Sequence, residues 1–348
     1  GRYTEPQFAE LMVKEGRADL VAFGRQSLAD PAMPKKAQEE RLEDMTPCIA
    51  CLQGCVANMY AGNPVCCLTN PFLGHEAEPL EKVEEPKKVM VIGGGVAGLS
   101  AAFIAKERGH EVTLYEAGDV LGGNMRLAAY PPGKGDITNM IRSYIHRCQK
   151  DGVKIVMNCE VTPELIKEEK PDSVIIATGS KTLILPIEGI DNPAIIHGSD
   201  LLDGKRAAGK KVLVVGGGMV GCETAAFLGE QEHDVTVIEF RDTVGADVIH
   251  EHRVYLMKDF EDYGIKEITG AKVCKFYEDG VEYETADGVR HESRGYDSVI
   301  LSMGFRNYNP LEEKIKDLVP ETHVIGDAIR ARRALDATKE AYEVASRI

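Results

Sequence analysis

Five of the nine cysteines crowd between Cys48 and Cys67, and two glycine-rich loops follow them, Gly93-Gly-Gly95-Val-Ala-Gly98 and Gly216-Gly-Gly218-Met-Val-Gly221. The cysteines run Cys48-Ile-Ala-Cys51-Leu-Gln-Gly-Cys55, then eleven residues, then Cys67 with Cys66 beside it. Three closely spaced thiolates and a fourth returning from a short loop can surround one soft metal centre, either an iron–sulfur cluster or zinc. On spacing alone the fourth ligand is Cys66 or Cys67. The other cysteines stand singly at 148, 159, 222 and 274, with no C-x-x-C around Cys222 and no close pair after Gly123, so thiol exchange is not the expected outlet for electrons.

Each glycine loop sits where a dinucleotide fingerprint requires it. Lys88 to Ile92 reads as a buried strand, Gly93, Gly95 and Gly98 as the turn, and Leu99 to Arg108 as a helix. The first glycine permits the tight turn and the second lets backbone approach a pyrophosphate. The third lets helix and strand pack closely, and the helix N-terminus then offers unpaired N–H groups to phosphate. Glu116 ends the next strand, where a carboxylate can accept hydrogen bonds from ribose hydroxyls. The whole unit recurs 123 residues later, with Gly216, Gly218, Gly221 and Glu239 in register. Two copies imply two dinucleotides. Glu239 pairs with a free 2′-hydroxyl and repels a 2′-phosphate, which favours NADH over NADPH, although Arg241 close by softens that repulsion.

These residues need elements to hold them. The 348 residues exceed what one core usually serves, and 43% apolar with 28% charged residues is ordinary globular composition. From Lys87 onward strands and helices alternate, so the fold class is α/β with parallel sheets. Before that, Glu5 to Gly16 has helical spacing, Ala18 to Phe23 reads as a short strand, and Asp30-Pro31 opens another helix. Residues 41–85 are rich in Cys, Pro, Asn and Gly and turn acidic, as a loop-built site and linker would. The net charge of −15 argues against nucleic acid or an anionic membrane as partner. The longest apolar run is broken by glycines and is too short to span a bilayer, and no signal peptide is visible, so the expected location is cytoplasmic. The opening Gly1-Arg2, with no initiator methionine, marks a processed chain or a fragment. Whether it forms a homo-oligomer is not legible in these residues.

The two copies are not equivalent. The first is followed by Leu121-Gly122-Gly123-Asn124, and Gly326-Asp327 comes late, before a helix from about Arg333. Over residues 87–348 the chain resembles the two-dinucleotide-binding flavoproteins, the disulfide reductases and their relatives. The resemblance implies an FAD domain at 86–180 and 305–348, with an inserted NAD(P)H domain at 181–304. It assigns Gly93, Gly95, Gly98, Glu116, Gly123, Asn124, Gly326 and Asp327 to FAD, and Gly216, Gly218, Gly221 and Glu239 to the nicotinamide nucleotide. Ala177-Thr178-Gly179 and Ser302-Met303-Gly304 look like the crossings between the two.

The cysteine segment, with Cys67-Leu-Thr-Asn-Pro71, resembles the iron–sulfur members of the old yellow enzyme family. These include 2,4-dienoyl-CoA reductase, trimethylamine dehydrogenase, and bile-acid and enoate reductases. By that resemblance Cys48, Cys51, Cys55 and Cys67 hold a 4Fe–4S cluster. In the same family an FMN-bearing (β/α)8 barrel precedes the cluster, and residues 1–40 resemble its last piece. Gly1-Arg2 then match the end of the seventh strand, Thr4 to Gly16 the seventh helix and Ala18 to Arg25 the eighth strand, with Gly24 and Arg25 on the FMN phosphate.

The reading is an electron-input portion. Hydride passes from NADH to FAD, and single electrons pass through a 4Fe–4S cluster to an FMN barrel mostly absent from this sequence. There the full-length enzyme reduces an activated C=C bond of a small-molecule substrate or runs in reverse on an amine. One alternative resembles the small subunit of glutamate synthase, whose cysteines serve two clusters. Another is a non-catalytic module holding ADP where FAD would sit. No general acid is nominated, since His197, His250, His252 and His323 show no catalytic spacing.

Overall fold

A computed structural model describes residues 2–348 and divides the chain into two units. One comprises the residues up to Arg126, Asp136–Ser180 and Asn307–Ile348; the other comprises Leu127–Gly135 and Lys181–Arg306.

The first unit is built on five parallel strands in the order Glu321–Val324, Ser173–Ile176, Lys88–Ile92, Glu111–Tyr115 and Lys154–Val156. Ser173–Ile176 and the four residues from Val89 to Ile92 are buried throughout, which is why they read as unbroken apolar runs instead of alternating ones. The helix Val96–Glu107 buries every residue from Val96 to Ala105. A helix apolar on all sides belongs in the middle of a core. Here it packs with residues of the helices Asp136–Lys150 and Ala334–Ala345 in one cluster around Leu99, Phe103, Met140 and Ala341.

The cysteine segment joins that same core. Ile49 and Leu68 are buried in it, and the Tyr144 hydroxyl donates to the Leu68 carbonyl at 3.0 Å. Segment 41–85 is looped as expected, but it also carries a 3-10 turn at Leu42–Asp44 and a short helix at Val56–Tyr60.

The N-terminal stretch corrects one expectation. The helix is present at Pro6–Lys14, but Ala18 to Phe23 form no strand, and Gly24 caps a helix at Arg25–Ala29. A strand exists by pairing its N–H and C=O groups with a neighbour. Among the described residues no strand lies beside this stretch. The expectation for Gly1 as part of a strand end lies outside the described residues.

The second unit repeats the architecture, with parallel strands ordered Ile196–His197, Ser298–Leu301, Lys211–Val215, Asp234–Ile238 and Lys266–Ile268. Its helix Met219–Glu230 is the counterpart of Val96–Glu107. A three-stranded antiparallel sheet, Lys272–Tyr277, Gly280–Glu284 and Arg290–Ser293, is added. No helix among the described residues is long and apolar enough to cross a membrane.

Candidate cofactor sites

The two glycine turns have nearly the same geometry. Gly93 and Gly216 have φ of +110° and +105°, the left-handed region that glycine enters freely. Their N–H groups donate to the carbonyls of Tyr115 (2.8 Å) and Ile238 (2.9 Å), pinning each turn to the next strand. A Cβ on Gly98 would lie 1.9 Å from the Gly93 carbonyl oxygen, and one on Gly221 would lie 1.8 Å from that of Gly216. Only hydrogen fits there. At Gly95, by contrast, a Cβ would meet nothing within 4 Å, so packing does not require that glycine.

The acids do more than await a sugar. Glu116 accepts the Gly94 N–H on one carboxylate oxygen and the Gly118 N–H on the other, both at 2.7 Å. Glu239 accepts from Gly217 at 2.6 Å and from Arg241 at 2.8 Å in the same way. Each carboxylate therefore clasps the loop to the strand end. Two oxygens offer about four acceptor sites, so capacity for ribose hydroxyls remains.

Gly123 lies against the first turn, with its Cβ position 3.2 Å from the Gly95 Cα. The Asn124 amide donates to the Ser180 hydroxyl at 3.2 Å, and that hydroxyl donates to Asp327 at 2.9 Å. Gly326 adopts φ of +64°, its N–H donates to Glu340 at 2.7 Å, and a Cβ there would press the Ala97 methyl at 3.0 Å. The structure thus brings Gly93, Gly95, Gly98, Glu116, Gly123, Asn124, Gly326 and Asp327 together at one sheet end. Ser180 links them and was not foreseen.

Cys48, Cys51, Cys55, Cys66 and Cys67 line one small cavity with Arg25 and Leu28. Burial pushes the Cys51 thiol up to about 12, and the nearby thiols of Cys67, Cys55 and Cys48 add to that rise. Burial likewise raises Cys67, with a smaller contribution from Cys48. Of the five, Cys66 has hydrogen-bond partners of its own: its sulfur accepts from the Asn58 amide at 3.3 Å and donates to the Gly54 carbonyl at 3.6 Å. Ala50 and Leu52, on either side of Cys51, hold left-handed φ of +52° and +59°. Strain of this kind persists where the surroundings over-determine it, often at functional sites. Among the described residues, no three His, Cys, Asp or Glu side chains converge on the position of a single metal ion.

Sequence reasoning also missed the supports of this segment. Gln26, 2% exposed, donates to the Thr46 carbonyl at 2.9 Å and accepts the Cys48 N–H at 2.8 Å. Asp30, 3% exposed, accepts from Lys36 at 2.8 Å and from the Thr46 N–H at 2.9 Å. Gly24 and Arg25 stand at a helix start instead of at a strand end, and Arg25 lines the cavity. In the second unit Lys134 pairs with the buried Glu223 carboxylate.

Residues 87–323 match the pyridine nucleotide-disulphide oxidoreductase family. The chain belongs to that family. Residues 1–44 match a second one, the NADH:flavin oxidoreductase / NADH oxidase family, as the old yellow enzyme resemblance implied. Relatives of this flavoprotein include an NADH oxidase of Thermoanaerobacter brockii, 36% identical over 100% of this chain and 54% of its own length. A cinnamate reductase of Clostridium sporogenes is 34% identical over 100% of this chain and 52% of its own length. The structure of a 2-naphthoyl-CoA reductase complex superposes with a TM-score of 0.95 at 34% identity, covering 99% of this chain and 53% of that one. The chain spans about half the length of the curated relatives it matches. These matches support flavin and NAD(H) binding by this oxidoreductase family member.

Proposed function

We propose that this chain is the electron-input portion of an NADH-dependent flavin oxidoreductase. Gly93, Gly95, Gly98, Glu116, Gly123, Asn124, Gly326 and Asp327 would hold FAD. Gly216, Gly218, Gly221 and Glu239 would hold NADH, with NADPH disfavoured by the Glu239 carboxylate. Cys48, Cys51, Cys55 and Cys67 would hold a 4Fe–4S cluster. When bound, these groups supply hydride acceptance at FAD and one-electron relay through the cluster toward FMN in the whole protein.

The chain's own residues bind and orient. Helix N-terminal N–H groups after Gly95 and Gly218 would meet a pyrophosphate, and one acid per turn, Glu116 or Glu239, holds its loop. For the cysteines, the fit rests on Cys48, Cys51, Cys55 and Cys67 lining one cavity, a set of soft donors of the kind that holds an iron–sulfur cluster. The Cys66 sulfur, engaged with Asn58 and Gly54, is left out of that quartet. Gly24 and Arg25 are proposed to meet the FMN phosphate in the whole protein. Relatives named for reducing cinnamate and 2-naphthoyl-CoA support an activated C=C bond as the final acceptor.

One observation carries this reading: two turns, 123 residues apart, in which the third glycine touches the first while the second is not demanded by the packing around Gly95. Denaturing the purified chain, identifying the released nucleotide and counting metal tests it. FAD with about four irons per chain is expected. ADP in place of FAD would overturn the redox reading, and zinc without iron would overturn the cluster.

A further inference from the structure

The duplication makes one difference between the turns directly comparable. The Gly122 N–H donates to the Gly94 carbonyl at 2.8 Å, and the Gly245 N–H donates to the Gly217 carbonyl at 2.7 Å, so the loops after the acids superimpose in register. At the same offset of 123, Asn124 in the first copy corresponds to Asp247 in the second. Asn124 turns its amide toward Ser180. Asp247 instead accepts the N–H of Met219 at 2.8 Å, the first residue of the helix Met219–Glu230. Its two carboxylate oxygens lie 3.5 and 3.6 Å from the point where a Cβ on Gly218 would stand. Around Gly95 that point has nothing within 4 Å.

We propose that Asp247 sets how tightly the second turn holds its dinucleotide, by occupying the helix-terminal amide that a pyrophosphate would use. The inference rests on the assignment of the nicotinamide nucleotide to this turn. A helix N-terminus favours negative charge, and here the chain's own carboxylate takes the favoured place. An incoming pyrophosphate must displace it and then lie beside a like charge, at a cost that the Asn124 copy does not impose. The asymmetry matches the chemistry. A flavin is retained through turnover, whereas the nicotinamide nucleotide must leave after each hydride, so a self-filled second cradle favours release.

The test is calorimetric titration of NAD+ and of ADP-ribose, which has the same pyrophosphate and no nicotinamide, into the oxidised chain. Asp247→Asn copies the residue of the first turn and keeps an acceptor for the Met219 N–H. It should bind both probes roughly three- to tenfold more tightly. Asp247→Ala, with no acceptor at all, should also tighten binding. Damage to the fold weakens binding, so a gain is not a structural side effect. Unchanged or weaker binding in both variants, with the parent chain binding normally, overturns the inference alone. If the parent chain binds neither probe, the assignment of the second turn itself fails.

Discussion

The side-chain oxygen of Gln26 accepts the backbone N–H of Cys48 at 2.8 Å, while its amide nitrogen donates to the carbonyl of Thr46 at 2.9 Å. A single buried glutamine thus fixes the backbone from which Cys48 projects. Gln26→Leu leaves two partly buried backbone groups without this partner. It should cost about 2 kcal/mol in denaturant unfolding and lower the iron content of the purified chain. An unchanged midpoint and full iron would show that the contact does not position the cysteine segment.

Cys66 and Cys67 should separate cleanly. Cys67 lines the cavity with Cys48 and Cys51, and the Cys66 thiol is engaged with Asn58 and Gly54. Cys67→Ser should lose most of the bound iron and its visible absorption, and Cys66→Ser should keep both. The reverse pattern would reassign the fourth ligand.

The glycines of the first turn differ in what they tolerate. Gly98→Ala places a methyl 1.9 Å from the Gly93 carbonyl oxygen and should destabilise by about 3 kcal/mol or more. Gly95→Ala meets no protein atom within 4 Å, so stability should change by only about 1 kcal/mol while flavin affinity falls at least tenfold. Unfolding curves and flavin titrations of the two variants make the comparison.

Glu239→Gln keeps one of the two acceptors that hold the Gly217 and Arg241 N–H groups and removes the charge that repels a 2′-phosphate. Steady-state dye reduction should show kcat/KM for NADH falling about tenfold and that for NADPH rising. An unaltered NADH-to-NADPH ratio would remove Glu239 from nucleotide choice.

Acid should weaken the fold through Asp44. Lys150 first, then His146 and Arg41, hold its carboxyl well below the usual carboxylate range. A lowered folded value stabilises above the unfolded value of about 4, and the contribution is lost as pH falls through the folded value. The Asp44→Asn variant should be about 1–2 kcal/mol less stable at neutral pH and should lose less stability than the parent below about pH 4. Unfolding curves of equal acid slope would contradict this.

Both glycine turns were legible because their requirements are local: a positive φ, a close approach and a helix start are written in consecutive residues. The acids were legible too, but their clasp on Gly94 and Gly217 was not, since sequence does not say which groups satisfy a carboxylate. Asp247 was within reach through the same offset that relates Gly93 to Gly216, had the register been carried past Glu239. Gln26 and Asp30 carry no pattern, because a polar residue buried under a loop looks like one in solvent. Ala18 to Phe23 misled for the opposite reason. The run has strand composition, but a strand is completed only by its neighbours, and here the stretch leads into the helix at Arg25.

In the proposed arrangement the first turn holds FAD and the second holds the NADH that reduces it. Anaerobic titration of the purified chain with NADH, followed by flavin absorbance, tests this directly. Stoichiometric bleaching of bound FAD is expected, followed by reduction of an added dye. A flavin that stays oxidised under excess NADH would contradict it.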